Sequence, residues 1–321
     1  MDQQTQPAIE IDNLTKVYNP RSKNPIKAVD NLNLHIMPGQ IFGFLGANGA
    51  GKTTTIKMLC GLIKPTSGTM KLNGYDVAHE RSRAMSQIGA VLEGTRNVYW
   101  RLSALENVMY FGRLKGTHGK ELRKRAESLI EQLDLWERRN DKIRSFSRGM
   151  QQKVAIACAL ISDPPIVLLD EPTLGLDVKA SLTIKEWITT LAKQHQKTII
   201  LTTHQLDMAQ QLCDHIAIIN KGRLITNAPT TDLIDLFRSE YYEIKVRGSL
   251  NSHALQFPAA LETTQQTDDL ITLSGTIDSQ DDLYRILNSL QSLNLPLVSV
   301  MPVEPNLEEI FINYLSKEVV Q

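Results

Sequence analysis

A glycine-rich segment near the start of the chain has the residue types and spacing of a phosphate-binding loop. Residues 46–53 read GANGAGKT and fit G-x-x-x-x-G-K-[ST], between a short apolar strand, Ile41–Leu45, and a segment with helical character, Thr53–Cys60. Glycines let backbone N–H groups surround phosphates, the Lys52 ammonium reaches the terminal phosphates, and the Thr53 hydroxyl can bind Mg²⁺. This strand-loop-helix context favours a nucleotide site over a chance glycine turn. The predicted nucleotide-binding residues here are Gly46, Ala47, Asn48, Gly49, Ala50, Gly51, Lys52, Thr53 and Thr54.

A second segment places two carboxylates after an apolar run. Residues 166–171 read IVLLDE, the pattern of a buried Walker B strand. In that interpretation Asp170 holds the Mg²⁺ shell and Glu171 polarises the water that attacks the γ-phosphate. Acidic residues also end many strands at solvent, so it is the phosphate loop that favours the catalytic interpretation of this pair.

Between these two motifs, residues 146–152 read FSRGMQQ and precede a helix-forming stretch. Here the sequence resembles the ABC ATPase family, whose signature loop reads LSGGQ. Ser147 and Gly149 stand at the positions of the family's γ-phosphate contacts, whereas Arg148 and Met150 replace residues that the resemblance implies are more tolerant. A Ser-x-Gly at a helix start is also an ordinary N-cap. The position just before the acidic strand favours the signature interpretation.

The other landmarks of this family follow in order. Leu174–Asp177 resembles the D-loop, which adds Asp177 to the nucleotide site, and residues 202–204, TTH, resemble the segment that ends in the switch histidine. The resemblance implies that His204 contacts the γ-phosphate and acts with Lys52, Asp170 and Glu171 in catalysis. Tyr18 resembles the aromatic residue on which adenine stacks, although an ordinary strand aromatic would look the same.

One position departs from the family pattern. After the strand-like residues 88–92, the family commonly has a glutamine that meets Mg²⁺ and the attacking water, whereas this chain has Glu93. A carboxylate can also bind Mg²⁺, so the predicted metal ligands are Thr53, Glu93 and Asp170. The loop that follows runs through Arg96, Tyr99 and Trp100 to Glu106. The resemblance implies that it occupies the region that contacts the membrane subunit in relatives, although its aromatic residues could equally pack between domains.

The elements that must position these residues are predicted from periodicity. Residues 8–45 alternate apolar and polar, as in a half-buried antiparallel sheet, and residues 100–160 have helical periodicity. Buried-strand patterns at Ile166–Leu169, Thr198–Thr202 and His215–Ile219 alternate with helical segments, which is typical of a parallel sheet. The predicted fold is therefore α/β: a P-loop ABC ATPase cassette with a RecA-like core, an antiparallel β subdomain and a helical subdomain.

The pattern changes after about residue 238, and we predict an ATPase domain over 1–238 and a small α+β accessory domain over 239–321. Its predicted strands are Tyr241–Val246, Leu270–Ile277 and Pro296–Val303, and capping-box-like starts at Ser279 and Asn306 predict two helices. The segment 304–311, EPNLEEIF, resembles the C-terminal part of ATPases of bacterial multidrug and antibiotic exporters of the daunorubicin-resistance type.

Composition limits where the protein acts and what it binds. The 321 residues include 35 basic and 35 acidic side chains, which gives no overall field for nucleic acid. The three cysteines, Cys60, Cys158 and Cys213, have no metal spacing and are expected to pack as small apolar residues. No secretory signal or membrane-spanning run is recognisable. We therefore expect a cytoplasmic protein that is peripheral to the inner face of the plasma membrane and contacts it only through a permease.

The predicted function is ATP hydrolysis, with ATP and Mg²⁺ as ligands, by a homodimeric subunit that energises a separate transmembrane permease, as an exporter. The sequence is also compatible with other functions. A P-loop kinase or metabolic NTPase would share Lys52 and Asp170 but has no use for a signature loop, so Ser147 and Gly149 argue against it. A non-transport ABC protein acting on ribosomes or DNA, a nucleotide-binding scaffold without turnover, and an importer ATPase are the further alternatives.

Overall fold

The computed structural model describes residues 6–94, 97–238, 241–248, 261–266, 270–277, 279–293 and 295–302. Packing divides the chain into two units, Met1–Ala228 and Pro229–Gln321. The boundary predicted from the sequence follows residue 238, whereas in the structure the helix at Thr230–Arg238 falls in the second unit. No helix among the described residues is long and apolar enough to cross a membrane.

The first unit contains two sheets and the helices that pack on them. Its strands are β1 (Ile9–Tyr18), β2 (Ile26–Ile36), β3 (Ile41–Leu45), β4 (Ser67–Leu72), β5 (Tyr75–Asp76), β6 (Ile88–Val91), β7 (Ile166–Asp170), β8 (Thr198–Thr203), β9 (His215–Asn220) and β10 (Arg223–Pro229). Its helices are α1 (Lys52–Leu59), α2 (Arg81–Ser86), α3 (Ala104–Leu114), α4 (Gly119–Gln132), α5 (Arg148–Leu160), α6 (Val178–Lys193) and α7 (Leu206–Leu212), with 3₁₀ turns at Trp136–Arg138 and Ile143–Ser145.

The larger sheet has the strand order β10-β9-β3-β8-β7-β6, and β3, β6, β7, β8 and β9 pair in parallel. Strands β3 and β7 are buried at every residue, because helices cover both faces of a parallel sheet. The smaller sheet, β2-β1-β4-β5, is antiparallel throughout. One apolar core joins the two sheets through α1, with Ile9, Phe44 and Ile56 among its fully or almost fully buried members. The predicted α/β fold is confirmed.

Register across the larger sheet determines where the site forms. Leu45 pairs with Thr203 between β3 and β8, and Asp170 pairs with Thr202 between β7 and β8. On the far side of β7, Val91 of β6 pairs with Leu169. The carboxyl ends of four parallel strands thus lie side by side, which is where ligands bind in open α/β sheets.

Within the helical region, the charged stretch over residues 119–139 has apolar residues at helical spacing, which predicts a helix with one buried stripe. Leu122, Ala126, Leu129, Ile130 and Leu133 are all buried. However, α4 ends at Gln132, earlier than the charged stretch to Arg139 indicates. The chain turns at Asp134, whose φ of 56° is left-handed and therefore incompatible with a continuing helix.

The second unit begins with α8 (Thr230–Arg238) and contains the strands β11 (Tyr241–Arg247), β12 (Leu261–Gln266), β13 (Leu270–Thr276) and β14 (Leu297–Pro302), and the helix α9 (Gln280–Ser292). The strands form an antiparallel sheet in the order β12-β13-β11-β14. Ile286 and Leu290 of α9 share an apolar core with Ile244 and Val246 of β11. Ser279 caps α9 by accepting a hydrogen bond from the Asp282 N–H at 3.1 Å. The predicted helix at Asn306 and the segment 304–311 lie outside the described residues.

Candidate nucleotide site

The glycine-rich loop between β3 and α1 is held against two neighbouring strands. A β-carbon on Gly46 would lie 2.5 Å from the carbonyl oxygen of Ile219 on β9, and one on Gly51 would overlap the carbonyl oxygen of Ala28 on β2. Gly51 also has a φ of 110°, which other residues rarely adopt. Glycine at these two positions therefore allows the loop to pack directly against the backbones of β9 and β2.

Lys52 points into this loop. Its Nζ donates to the carbonyl oxygen of Gly46 at 2.6 Å and to that of Ala47 at 3.3 Å, and the residue is 7% exposed. Burial lowers the pKa of the Lys52 ammonium, while nearby carboxylates, Glu171 first among them, act in the opposite direction. A cation inside a ring of backbone groups is the arrangement that phosphate binding requires.

One pocket collects most of the predicted phosphate site. It is lined by Ala28, Ala47, Asn48, Gly49, Ala50, Gly51, Lys52, Thr53, Thr54, Glu93 and Glu171. Ala28 is not predicted from the sequence, where nothing distinguishes an alanine in a strand; it lies here because β2 passes over Gly51. The predicted residues Tyr18, Gly46, Ser147, Gly149, Asp170, Asp177 and His204 do not line this pocket.

Asp170 lies at the end of β7 and is 2% exposed. Its Oδ1 lies 3.4 Å from Thr53 Oγ1 and 2.5 Å from Thr202 Oγ1, and its Oδ2 lies 3.4 Å from the Glu93 nitrogen. The described residues hold no cluster of three or more His, Cys, Asp or Glu side chains suited to a metal ion. One carboxylate and one hydroxyl fit Mg²⁺, which binds proteins through few oxygen ligands and keeps water and substrate phosphates as the others. Thr53 and Asp170 would hold the ion, with Glu93 beside them on the pocket wall.

Glu171 and His204 meet at the same edge. The Glu171 side chain is 7% exposed, and its Oε1 lies 2.8 Å from Nδ1 of His204, which is 46% exposed. The Glu171 backbone has a φ of 50°, a left-handed conformation that is uncommon outside glycine. Its N–H donates to both the carbonyl oxygen and the hydroxyl of Thr202, at 3.1 and 3.2 Å. Thr202, which sequence reasoning did not select as a site residue, thus fixes the turn that carries Glu171.

Ser147 and Asp177 cap neighbouring helices in this chain. The Ser147 side chain accepts from the Met150 N–H at 3.3 Å, and that of Asp177 accepts from the Ala180 N–H at 2.8 Å. The two helix starts touch, because a β-carbon on Gly149 would lie 2.7 Å from the Ala180 Cβ. Within one chain these residues lie outside the phosphate pocket, and their contact with nucleotide stays a prediction.

Arg148, at a position of the signature motif that the resemblance implies is tolerant, joins that loop to the D-loop. Its Nη1 lies 2.5 Å from where a β-carbon on Gly175 would be, and Gly175 has a φ of 70°. The guanidinium therefore occupies the space that a side chain at residue 175 would need.

Tyr18 ends β1 and pairs with Ile26 of β2, two residues before Ala28 of the pocket wall. The Lys16 Nζ lies 5.2 Å from the centroid of its ring. Tyr18 thus pairs with β2 two residues from the pocket wall, and adenine stacking on its ring stays a prediction. In the loop after Glu93, Tyr99 and Trp100 are about half exposed, and Arg96 lies outside the described residues.

Comparison with known proteins supplies the family. A family model described as ABC transporter matches residues 29–174, and one described as a domain of unknown function matches residues 241–301. The ABC transporter ATP-binding protein NatA of Bacillus subtilis is 40% identical over 218 residues, which cover 68% of this chain and 88% of NatA. The daunorubicin/doxorubicin resistance ATP-binding protein DrrA of Streptomyces peucetius is 33% identical over 319 residues, covering 96% of this chain and 93% of DrrA.

The linearmycin resistance ATP-binding protein LnrL of Bacillus subtilis is 32% identical over 310 residues, covering 95% of this chain and 97% of LnrL. Among solved structures, a dimeric post-hydrolysis state of the ATP-binding cassette MJ0796 with ADP and Pi is similar, with a TM-score of 0.63 and 30% identity over 69% of this chain and 98% of that one. The phosphate loop, the acidic strand end and the histidine meet at one edge of the sheet. The chain belongs to the ATP-hydrolysing, ATP-binding subunits of ABC transporters.

Proposed function

We propose that this chain is the Mg²⁺-dependent ATPase subunit of an exporter and that it drives a separate transmembrane permease subunit. The observation that carries the catalytic part is the meeting of Lys52, Thr53 and Glu171 in one pocket, with Asp170 and His204 at the same strand ends. These side chains come from the start of α1, the end of β7 and the residues just after β7 and β8, so only the folded sheet joins them.

Each residue has a distinct role in this proposal. The loop N–H groups and Lys52 bind the β- and γ-phosphates, and Thr53 and Asp170 hold Mg²⁺, which neutralises phosphate charge when bound. Glu171 orients the attacking water, and His204 contacts the γ-phosphate. The 2.8 Å contact between Glu171 and His204 supports a shared task, because it brings both side chains to one place at the ends of β7 and β8. Catalysis then depends on positioning and charge rather than on a covalent intermediate.

The functional unit in this proposal is a homodimer in which each ATP lies between the phosphate loop of one subunit and Ser147 and Gly149 of the other. Two observations support it. Both signature residues lie outside the phosphate pocket of their own chain, and similar solved structures of the cassette MJ0796 are dimeric.

Export is supported by relatives that match nearly the whole chain. LnrL and DrrA are named for linearmycin and for daunorubicin/doxorubicin resistance, and their alignments cover 95% and 96% of this chain. A bacitracin transport protein and a Nod factor export protein match the ATPase part at 38% and 39% identity. We place the protein on the cytoplasmic face of the membrane, attached through its permease.

ATP hydrolysis by the purified chain tests the catalytic roles. Glu171→Gln keeps the size of the side chain but removes its charge, so ATP binding should persist while turnover falls by about 100-fold or more. Lys52→Ala should weaken ATP binding itself. Glu186→Gln, at an exposed position of α6, is the matched control and should hydrolyse ATP like the wild type. Full turnover by Glu171→Gln would refute the assignment.

Transport in inside-out vesicles tests direction. Vesicles that contain the chain with its permease should accumulate daunorubicin, followed by its fluorescence, when Mg²⁺ and ATP are added outside. Vesicles with Glu171→Gln should not accumulate it. If wild-type vesicles hydrolyse ATP but instead release preloaded drug, the export proposal is wrong.

A further inference from the structure

The side chain of Thr202 connects the two carboxylate residues of the site. Thr202 lies on β8, opposite Asp170 in the register with β7, and is fully buried. Its Oγ1 lies 2.5 Å from Asp170 Oδ1 and 3.2 Å from the Glu171 nitrogen. One hydroxyl thus contacts the residue proposed to hold the metal and the residue proposed to orient water.

The direction of these hydrogen bonds follows from the groups involved. A carboxylate only accepts, so the Thr202 hydroxyl donates its one O–H hydrogen bond to Asp170. The Glu171 N–H only donates, so it donates to a lone pair of the same oxygen. The hydroxyl is therefore both donor and acceptor at once. Valine, which has the same shape, can do neither, whereas serine can do both.

The backbone conformation of Glu171 explains why its hydrogen bonds to Thr202 matter. A non-glycine residue with a φ of 50° costs free energy that its surroundings must offset. Thr202 supplies both acceptors for its N–H, the carbonyl oxygen at 3.1 Å and the hydroxyl. From this left-handed turn the Glu171 side chain reaches His204, the residue that follows β8.

We propose that Thr202 is a positioning residue for the Mg·ATP site, because its hydroxyl orients the Asp170 carboxylate and fixes the turn that carries Glu171. This inference rests on the proposed roles of Asp170 and Glu171. It assigns no contact between Thr202 and nucleotide. Loss of the hydroxyl should therefore change metal affinity and turnover more than ATP affinity.

Three variants separate the effect of the Thr202 hydroxyl from the effect of side-chain packing. Thr202→Val removes the hydroxyl and keeps the shape, and Thr202→Ser keeps the hydroxyl. Thr198→Val is the matched control, because Thr198 is a buried threonine on the same strand whose hydroxyl accepts from the Gly39 N–H at 3.1 Å, at the other end of β8. Both valine variants lose one buried hydroxyl, but only one of these faces the carboxylates.

The first measurement is the Mg²⁺ dependence of equilibrium binding of a fluorescent ATP analogue to the full chain, with each variant in a Glu171→Gln background. The Thr202 contact to residue 171 is to backbone and survives that change. Thr202→Val should raise the Mg²⁺ concentration for half-maximal binding by about three- to tenfold, since the net contribution of an ordinary protein hydrogen bond gives effects of this order. Thr202→Ser and Thr198→Val should stay within about twofold of the parent.

The second measurement is steady-state ATPase activity with residue 171 unchanged. Thr202→Val should lower kcat about tenfold with a smaller change in the KM for ATP, and Thr202→Ser should restore most of kcat. A purely structural role predicts that Thr198→Val has the same effects as Thr202→Val at an equal loss of melting temperature. Equal effects of the two valine variants on the Mg²⁺ midpoint, or none from Thr202→Val, would overturn the inference.

Asp170→Asn distinguishes this failure from a failure of the proposed function. If Asp170→Asn leaves the Mg²⁺ midpoint unchanged, the proposed metal role is wrong. If it shifts the midpoint and Thr202→Val does not, only the inference about Thr202 is wrong. Should Thr202→Val fail to fold, Thr202→Cys, whose thiol is a weaker donor, replaces it; a shift in the same direction supports the proposal, and an unchanged midpoint contradicts it.

Discussion

At the residue scale, the site depends on a few side chains whose neighbours change what they can do. Lys52 is nearly buried, and carboxylates oppose the effect of that burial on its pKa. Asp170 has Thr53, Thr202 and the Glu93 backbone around its two oxygens. A change at any of these partners is therefore expected to alter the proposed binding of Mg²⁺ and phosphate.

Glu93 is expected to tune the metal and phosphate site. Its side chain lines the pocket with Lys52, and its charge helps to keep that lysine protonated. Glu93→Gln restores the amide common in the family, and Glu93→Ala removes the polar group. We expect Glu93→Ala to change the Mg²⁺ concentration for half-maximal ATPase activity, or the rate stimulated by the permease, by about two- to fivefold, and Glu93→Gln to change it less. If both variants keep the wild-type Mg²⁺ dependence and permease-stimulated rate, Glu93 has no role at the site and is an ordinary solvated residue at a strand end.

The three cysteines are expected to be unreactive because they are buried. All three are buried, as expected from the sequence, and no disulfide joins them. Burial raises the pKa of Cys60 to about 12 and raises the pKa values of Cys158 and Cys213 further. At pH 8 these thiols are therefore protonated and unreactive. Ellman's reagent should find almost no fast-reacting thiol in the folded chain and three in denaturant, whereas Ser128→Cys, on the exposed side of α4, should add one fast thiol. A fast wild-type thiol would contradict this.

At the scale of elements, the phosphate loop is shaped by the strands beneath it as much as by its own glycines. Gly51 packs against the backbone of β2 and Gly46 packs against that of β9. A β-carbon on Gly49, in contrast, would meet nothing within 4 Å. The pattern G-x-x-x-x-G-K-[ST] does not reveal this difference.

Alanine substitutions should separate loop strain from loop packing. Gly49 has a φ of 82°, so Gly49→Ala should cost only left-handed strain of about 1–2 kcal/mol. Gly51→Ala adds overlap with the Ala28 carbonyl to a φ of 110° and should cost more than about 3 kcal/mol. For a unit of this size, about 1 kcal/mol lowers the melting temperature by roughly 2–4 °C. Equal melting temperatures for the two variants would contradict the packing of the loop on β2.

At the scale of the whole molecule, the chain combines a cassette with a second unit that has its own sheet, helix and core. LnrL and DrrA align with both units, whereas the match to NatA covers 68% of the chain. The second unit therefore distinguishes this chain from smaller relatives.

Nucleotide-driven dimerisation tests the shared site. With Glu171→Gln and Mg·ATP the chain should run as a dimer in size exclusion with light scattering, and without nucleotide it should shift toward monomer unless the second unit holds the pair. Adding Ser147→Asp should abolish the ATP-dependent dimer but not ATP binding, because aspartate still caps α5 while its charge repels the partner's nucleotide. Ser128→Asp, an exposed change of equal charge on α4, should dimerise normally. A Ser147→Asp protein that still dimerises would contradict the proposed contact.

The sequence by itself determined the parts that are local. The phosphate loop is one contiguous segment whose lysine and glycines are chemically required, so its pattern is readable without a fold. The buried runs of β7 and β8 and the apolar stripe of α4 are also local, because strand and helix periods are set by the backbone. The order of motifs in the resembled family then predicted roles for Glu171, His204 and Ser147, which carry little signal alone.

Only the tertiary structure decided which distant residues meet. Ala28 joins the phosphate pocket because β2 crosses Gly51, and Thr202 reaches Asp170 because β7 and β8 pair in one register. The left-handed turn at Glu171 and the end of α4 at Gln132 were equally invisible. Such contacts depend on strand order, register and close packing between residues far apart in the chain. Neither residue type nor periodicity encodes those relations, because many sequences satisfy the same local pattern.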